Sequence, residues 1–305
     1  MLTVQSLNSS TTGRNSTVAN VFMSQEFIVQ FWGVRGNVPT PGSDTMRYGG
    51  NTACVEVLVA GQRIIFDGGT GLRALGKSLL DADKPIQASI FFTHTHWDRI
   101  QGFPFFRPAF TANNCFDIYG SAAANGASIK QCLMSQMLRP HFFTPLQKMS
   151  STLTFHNILA GDVVSLDEGV TVETITLNPQ TSALGFRITY SGKSLVYATD
   201  TSNIDSEHNP NLLYLAKNAD LLIYGGTYSE VAFQDSTERG RFFWEKSIDL
   251  AEKSQAKEMI LFHHDPEHDD DYLDQVGTEI HNRCSRIHLA HEGMILQLAS
   301  VDRDA

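Results

Sequence analysis

Residues 91–106 read FFTHTHWDRIQGFPFF, and the fold turns on how that stretch is read. The run ASIFF at residues 88–92 leads into it with the composition of a buried β-strand. The strand breaks at once into His94, His96 and Asp98, followed by a Gly-containing turn. Two imidazoles and a carboxylate beside a core strand are costly to bury unless something satisfies them. Ordinary hydrogen-bonded histidines are one solution. A metal ion is another, since imidazole nitrogen and carboxylate oxygen suit zinc, iron or manganese. The cluster also stands at a strand end, where open α/β folds place their ligands.

Further strand ends carry the same kind of residue. QRIIFDGGTG delivers Asp67 after a β-run and turns sharply on its glycines, without the spacing of a dinucleotide loop. Asp67 is placed to orient a histidine of the 94–98 cluster. SLVYATD ends in Asp200, and the apolar run Met259 to Phe262 ends in His263 and His264. Phe27, Val29 and Phe31 alternate as a strand and lead into the long loop GVRGNVPTPGSDTMRYGG, whose Arg35 and Arg47 are candidates to hold an anion. TACVEVLVAG and QRIIFDGG read as a hairpin. Helices are expected over 72–80, 122–139, 210–218 and 247–255, and His156, His288 and His291 read as structural or surface groups. Phe-rich stretches at 103–110 and 141–143 are candidates to roof the cleft or support a homodimer.

Composition narrows the class. The 305 residues are 42% hydrophobic and 18% charged, as in a soluble globular protein, and none of the apolar runs is long enough to span a bilayer. A net charge of −10 argues against general nucleic-acid binding. Cys54, Cys115, Cys132 and Cys284 form no CxxC pair and read as small buried hydrophobes in a reducing compartment, so the expected location is cytoplasmic. Residues 1–25 are rich in Ser, Thr and Asn and read as a flexible arm, leaving 26–305 as a single domain. Short strands in both halves, with helices between, suit two sheets sandwiched between outer helices.

The segments FWGVRGNVPTPG with YGGNTACVEV, FDGGTGLRALG, FFTHTHWDRIQGFPFF, LGFRITYSGKSLVYATD and LFHHDPEHDDD together resemble the metallo-β-lactamase fold superfamily, in its ribonuclease Z, phosphonate-pathway and cyclic-nucleotide phosphodiesterase branch. The resemblance implies an α+β fold, an αββα four-layer sandwich with a metal site along one edge of the sheets. It implies His94 and His96 as ligands of a first metal, Asp98 and His263 as ligands of a second, Asp200 as the bridging carboxylate, and Asp67 as the aspartate that orients a ligand.

The departures from that pattern are informative. HTHWDR puts Arg99 where a second-site histidine is expected, Asn178-Pro179-Gln180 lacks the third histidine of the first site, and WEKS brings Lys246 near another missing one. The resulting expectation is one divalent ion, zinc first with manganese or iron as alternatives, on His94, His96 and Asp200. Arg99 would replace the second ion by bridging Asp98 and Asp200. Asp98, Arg99, Asp200 and Lys246 are then the candidate catalytic residues. The expected activity is metal-dependent hydrolysis of a small phosphorylated or anionic substrate of phosphodiester type. The alternative is a catalytically inactive protein of this fold that binds a protein partner.

Overall fold

The computed structural model describes residues 3–4, 27–81, 84–201, 209–226 and 246–298. Most of the expected N-terminal arm, the loop after Asp200 and most of the segment before Lys246 lie outside the described residues. Two mixed sheets face each other. The first contains Thr3–Val4 (β1), Phe27–Gly33 (β2), Cys54–Val59 (β3), Gln62–Phe66 (β4), Gln87–Phe92 (β5), Cys115–Gly120 (β6), Thr152–Asn157 (β7) and Ile295–Gln297 (β15), in the order β1-β15-β2-β3-β4-β5-β6-β7. The second contains Val163–Ser165 (β8), Thr171–Asn178 (β9), Ala183–Tyr190 (β10), Lys193–Thr201 (β11), Leu221–Gly226 (β12), Glu258–Leu261 (β13) and Ile287–Leu289 (β14), in the order β14-β13-β12-β11-β10-β9-β8.

Three apolar layers make the sandwich. Phe27, Val29 and Phe31 turn one face of β2 into the space between the sheets, where they meet Phe186, Tyr197 and Ile223 from the second sheet. The expected alternation is therefore the inner face of the first sheet. ASIFF has no such alternation because β5 is buried on both sides: Phe91 points inward, Ile90 and Phe92 outward. Gly71–Ser78 (α1), Trp97–Ile100 (α2) and Ile129–Ser135 (α3) lie on the first sheet's outer face. Pro210–Ala216 (α4), residues 246–254 (α5) and Asp270–Arg283 (α6) cover the second. The layer order helix, sheet, sheet, helix is the one expected.

Local chemistry explains where the elements stop. The β3–β4 hairpin turns on Ala60 and Gly61, both at positive φ (50° and 76°), the primed geometry that matches strand twist. The helix expected over 122–139 shrinks to α3. Gly126 at φ 80° belongs to a turn, and Ser128 then starts the helix with a capping box to Gln131. Thr3–Val4 pair with Leu296 and Gln297 at the edge of the first sheet, so this part of the arm is a strand. The long loop after β2 is held by its own cation. Arg35 is fully buried and donates to the carbonyls of Gly49, Asp265 and His268.

Between the sheets, Phe186 stacks on Phe66 at 5.4 Å and meets Phe91 edge-on at 5.4 Å. Phe186→Ala should lower unfolding stability by about 3–5 kcal/mol, read as a shift in the urea midpoint with an unchanged slope.

Candidate active site

The strand ends converge as the sequence implies. β4 and β5 run parallel, so Asp67 and the 93–99 segment leave the first sheet at the same edge. β11 and β13 end on the facing edge of the second sheet with Asp200 and His263. The loops after β4 and β5 are joined: Gly68 N donates to Arg99 O at 2.6 Å and Gly102 N to Gly68 O at 2.8 Å. Gly102 allows this close approach, since a Cβ there would overlap the Gly69 carbonyl. Asp67 and His263 both adopt left-handed backbone, φ 58° and 66°, a conformation that side-chain-bearing residues hold only when surroundings enforce it.

Asp67 is the hub. Fully buried, it accepts from Thr93 N at 2.9 Å, Thr93 Oγ1 at 2.9 Å, Tyr197 OH at 2.9 Å and Arg99 Nη1 at 2.9 Å. Burial raises its pKa, and Arg99 and the Thr93 hydrogen bonds oppose that rise. Arg99 is only 1% exposed. Its Nη1 also donates to Thr199 Oγ1 at 3.1 Å, its Nη2 to Thr199 O at 3.3 Å, and its Nε stands 3.2 Å from Asp98 Oδ2. Burial works against the guanidinium charge, but Asp67 and Asp98 outweigh it and raise the pKa further. The expected bridge from Asp98 to Asp200 is therefore replaced by one from Asp98 to Asp67. Among the described residues, Asp200 accepts from Asn178 Nδ2 at 3.2 Å and Thr181 Oγ1 at 2.7 Å.

This network fixes the tautomer of His94. The single Thr93 hydroxyl proton goes to the Asp67 carboxylate, the stronger acceptor, so Thr93 Oγ1 accepts from His94 Nδ1 at 3.0 Å. Burial lowers the His94 pKa to about 3, so the ring is neutral near pH 7. Its bare Nε2 then faces Asp200 Oδ2 at 3.5 Å, one lone pair against another. A cation between them would relieve that opposition. Two ligands at 2.0–2.2 Å on a tetrahedral ion stand roughly 3.4 Å apart, close to the observed separation. His96 is exposed beside them, its ring edge-on to His94 at 4.4 Å.

The two metal positions of the fold test differently. The first fits one ion on His94 and Asp200, with His96 as the neighbouring donor. At the second, Asp98 Oδ2 already takes His263 Nε2 at 3.0 Å and faces Arg99 Nε. Burial alone would raise the Asp98 pKa, but Arg99 and His263 hold it well below the usual carboxylate range. A divalent ion there would meet a permanent guanidinium charge, so the second position does not fit. Among the described residues, no group of three or more His, Cys, Asp and Glu side chains is arranged to hold a metal.

Other candidates lie elsewhere. Lys246 starts α5 and is half-buried. Arg35 is taken up by loop carbonyls, and Arg47 pairs with Asp271 at 2.5 Å and Asp274 at 2.8 Å on α6, so neither is placed to hold a substrate anion. His264 Nε2 donates to Ala290 O at 2.7 Å, and His156 pairs with Asp117 at 3.0 Å. Thr93, Thr181, Tyr197 and Thr199 went unread in the sequence, and Asn178 was read only as part of a segment lacking a histidine. Their signal was position: each lies within one or two residues of a strand end or on the inward face of one.

No curated protein matches the chain. Among solved structures, it is similar to a diphosphatase of the PhnP family at 16% identity, covering 90% of this chain and 98% of that one, with a TM-score of 0.63. Zn(2+)-bound PqqB from Methylobacterium extorquens is 15% identical, covering 89% and 100%, with a TM-score of 0.61. The short form of human tRNase Z is 17% identical, covering 90% and 99%, with a TM-score of 0.60. Likeness at such identities speaks for the fold alone. The family model described as a beta-lactamase superfamily domain matches residues 62–264, two thirds of the chain and every residue of the Asp67–Asp200–His263 cluster. The chain belongs to the metallo-β-lactamase superfamily.

Proposed function

We propose that this protein hydrolyses small phosphorylated or anionic substrates of phosphodiester type with one divalent ion held by His94, His96 and Asp200. The observation that carries this reading is the bare Nε2 of His94 facing Asp200 Oδ2 at 3.5 Å, each held in place from behind. Zinc is the first choice for two imidazoles and a carboxylate, with manganese or iron as alternatives. The family setting points the same way, since a diphosphatase, a tRNase Z and a zinc-bound protein share the fold. A cytoplasmic location accords with the four free cysteines, and no helix among the described residues is long and apolar enough to cross a membrane.

The chemistry such an ion supplies is a bound water acidic enough to attack near neutral pH. The chain's own residues prepare the place. Asp67 and Thr93 orient His94 so that Nε2 looks into the cleft. Asn178 and Thr181 fix both oxygens of Asp200. Arg99 directs its N–H groups at Asp67 and Thr199, and its side chain is buried, so it does not reach a substrate directly. It acts as a positioning residue, neutralising Asp98 and Asp67 where a second cation would otherwise be needed.

A specific observation favours a second reading. Asp98 and Asp200 already have partners without any metal, and among the described residues no three donors converge. A catalytically inactive protein that binds a protein partner would show this same pairing of buried charges.

Elemental analysis of the purified protein should find close to one equivalent of metal, lost in His94→Ala and Asp200→Ala. Hydrolysis of bis(p-nitrophenyl) phosphate with added zinc or manganese should fall at least about 100-fold in both variants. Two equivalents of metal would overturn the role given to Arg99; no metal and no turnover would favour the inactive binding protein.

Arg99→Ala should cost about 3–5 kcal/mol of stability, because it leaves Asp67 and Asp98 buried without a counter-charge. Arg99→Lys keeps the charge but loses the planar fork and should fall between wild type and Arg99→Ala. Urea unfolding of the three proteins at pH 7 gives the ranking.

A further inference from the structure

On the outer face of the first sheet, a half-open cavity of about 480 Å³ is lined by Arg73, Lys77, Arg107, Phe105, Phe142 and Phe143, among others. We propose that this cavity is a binding site for a small anion carrying a flat aromatic body, such as an aromatic carboxylate or a nucleoside phosphate. The inference does not depend on the chemistry assigned to His94 and Asp200.

Charge is the first argument. The chain carries a net charge of −10, yet three cations meet here and none of them forms an ion pair or hydrogen bond to an acidic side chain among the described residues. Arg73 and Lys77 stand at i and i+4 on α1, so the helix stacks both on one face. A like-charged pair at that spacing destabilises a helix by a few tenths of a kcal/mol, and an anion seated between them reverses the sign. Arg107 adds a third positive charge from the short 3₁₀ turn Arg107–Phe110. Lys77 alone would be explained by its place in the last turn of α1; Arg73 and Arg107 would not.

The aromatic wall is the second argument. Phe142 and Phe143 stack at 5.1 Å and 21°, and Phe105 meets Phe142 edge-on at 5.5 Å. Phe143 is 79% exposed and Phe105 is 51% exposed, so apolar rings stand open beside the cations. An open phenyl face next to guanidinium groups that have no acidic partner among the described residues suits a ligand that is flat on one side and negative on another. The volume falls in the range of small-molecule pockets and favours such a ligand over a broad protein surface.

The probe for this site is 8-anilinonaphthalene-1-sulfonate, a fused aromatic anion, titrated by fluorescence into the full-length protein. The expected result is saturable binding near one equivalent, weakened at least about tenfold in Lys77→Glu and in Phe143→Ala. Both substitutions are at exposed positions, and the variants should keep the wild-type circular dichroism and melting temperature. Adenosine monophosphate and salicylate are then used as competitors. Displacement by the first alone assigns a phosphate-bearing ring, displacement by the second alone a carboxylate-bearing one, and displacement by both the shared chemistry. Absence of saturable binding, equal affinity in folded variants, or failure of both competitors would overturn the proposal.

Discussion

The cleft depends on one buried ion pair. Arg99 and Asp67 lie 2.9 Å apart with almost no access to water, and nearly every other polar contact of the site is arranged around them. Burying either charge alone would be prohibitive, so each is tolerable only with the other in place. Asp67 needs a cation because its carboxylate is held fully out of water, and Arg99 needs carboxylates because its guanidinium cannot give up its proton. The Thr93 hydroxyl is committed by the same carboxylate, and through Thr93 so is the orientation of His94. A charge pair almost wholly shielded from solvent thus decides which nitrogen faces the cleft.

This arrangement separates two tasks that a two-metal centre combines. In such a centre the ions both neutralise the clustered carboxylates and do the chemistry. Here the neutralising task falls to a side chain at Asp67 and Asp98, while Asn178 and Thr181 steady Asp200 without adding charge. Among the described residues, an ion would find its opening between His94 and Asp200. The site is accordingly both more complete without metal and more restricted with it.

Much of this was legible in the sequence. The strand ends at Asp67, His94, Asp200 and His263 could be read because apolar runs stop abruptly at polar residues, and the sandwich followed from short strands with helices between them. Arg99 stood out as a charge in a motif that otherwise calls for an imidazole. Its second partner was harder to read. Asp98 is met as expected, but where the motif suggested Asp200 the guanidinium reaches Asp67, whose left-handed backbone turns its carboxylate under the loop. Thr93 and Tyr197 were missed because a hydroxyl carries no sequence pattern of its own; only the fold brings it to a buried carboxylate. The over-long helix at 122–139 has a local cause, since Gly126 at positive φ belongs to a turn and the helix starts only at Ser128.

The polar network also bears on how the two sheets are held relative to one another. Across most of their interface they meet through interleaved side chains such as Phe66, Phe91 and Phe186, contacts without strong direction that tolerate small sliding. At the cleft end the contacts are directional: Tyr197 and Thr199 from the second sheet bond to Asp67 and Arg99 from the first, and Leu184 N donates to Thr93 O at 2.9 Å. Those bonds set the shear between the sheets. The distance from His94 to Asp200 is thus a property of how one sheet is pinned against the other, and its accuracy comes from a rivet rather than from the core.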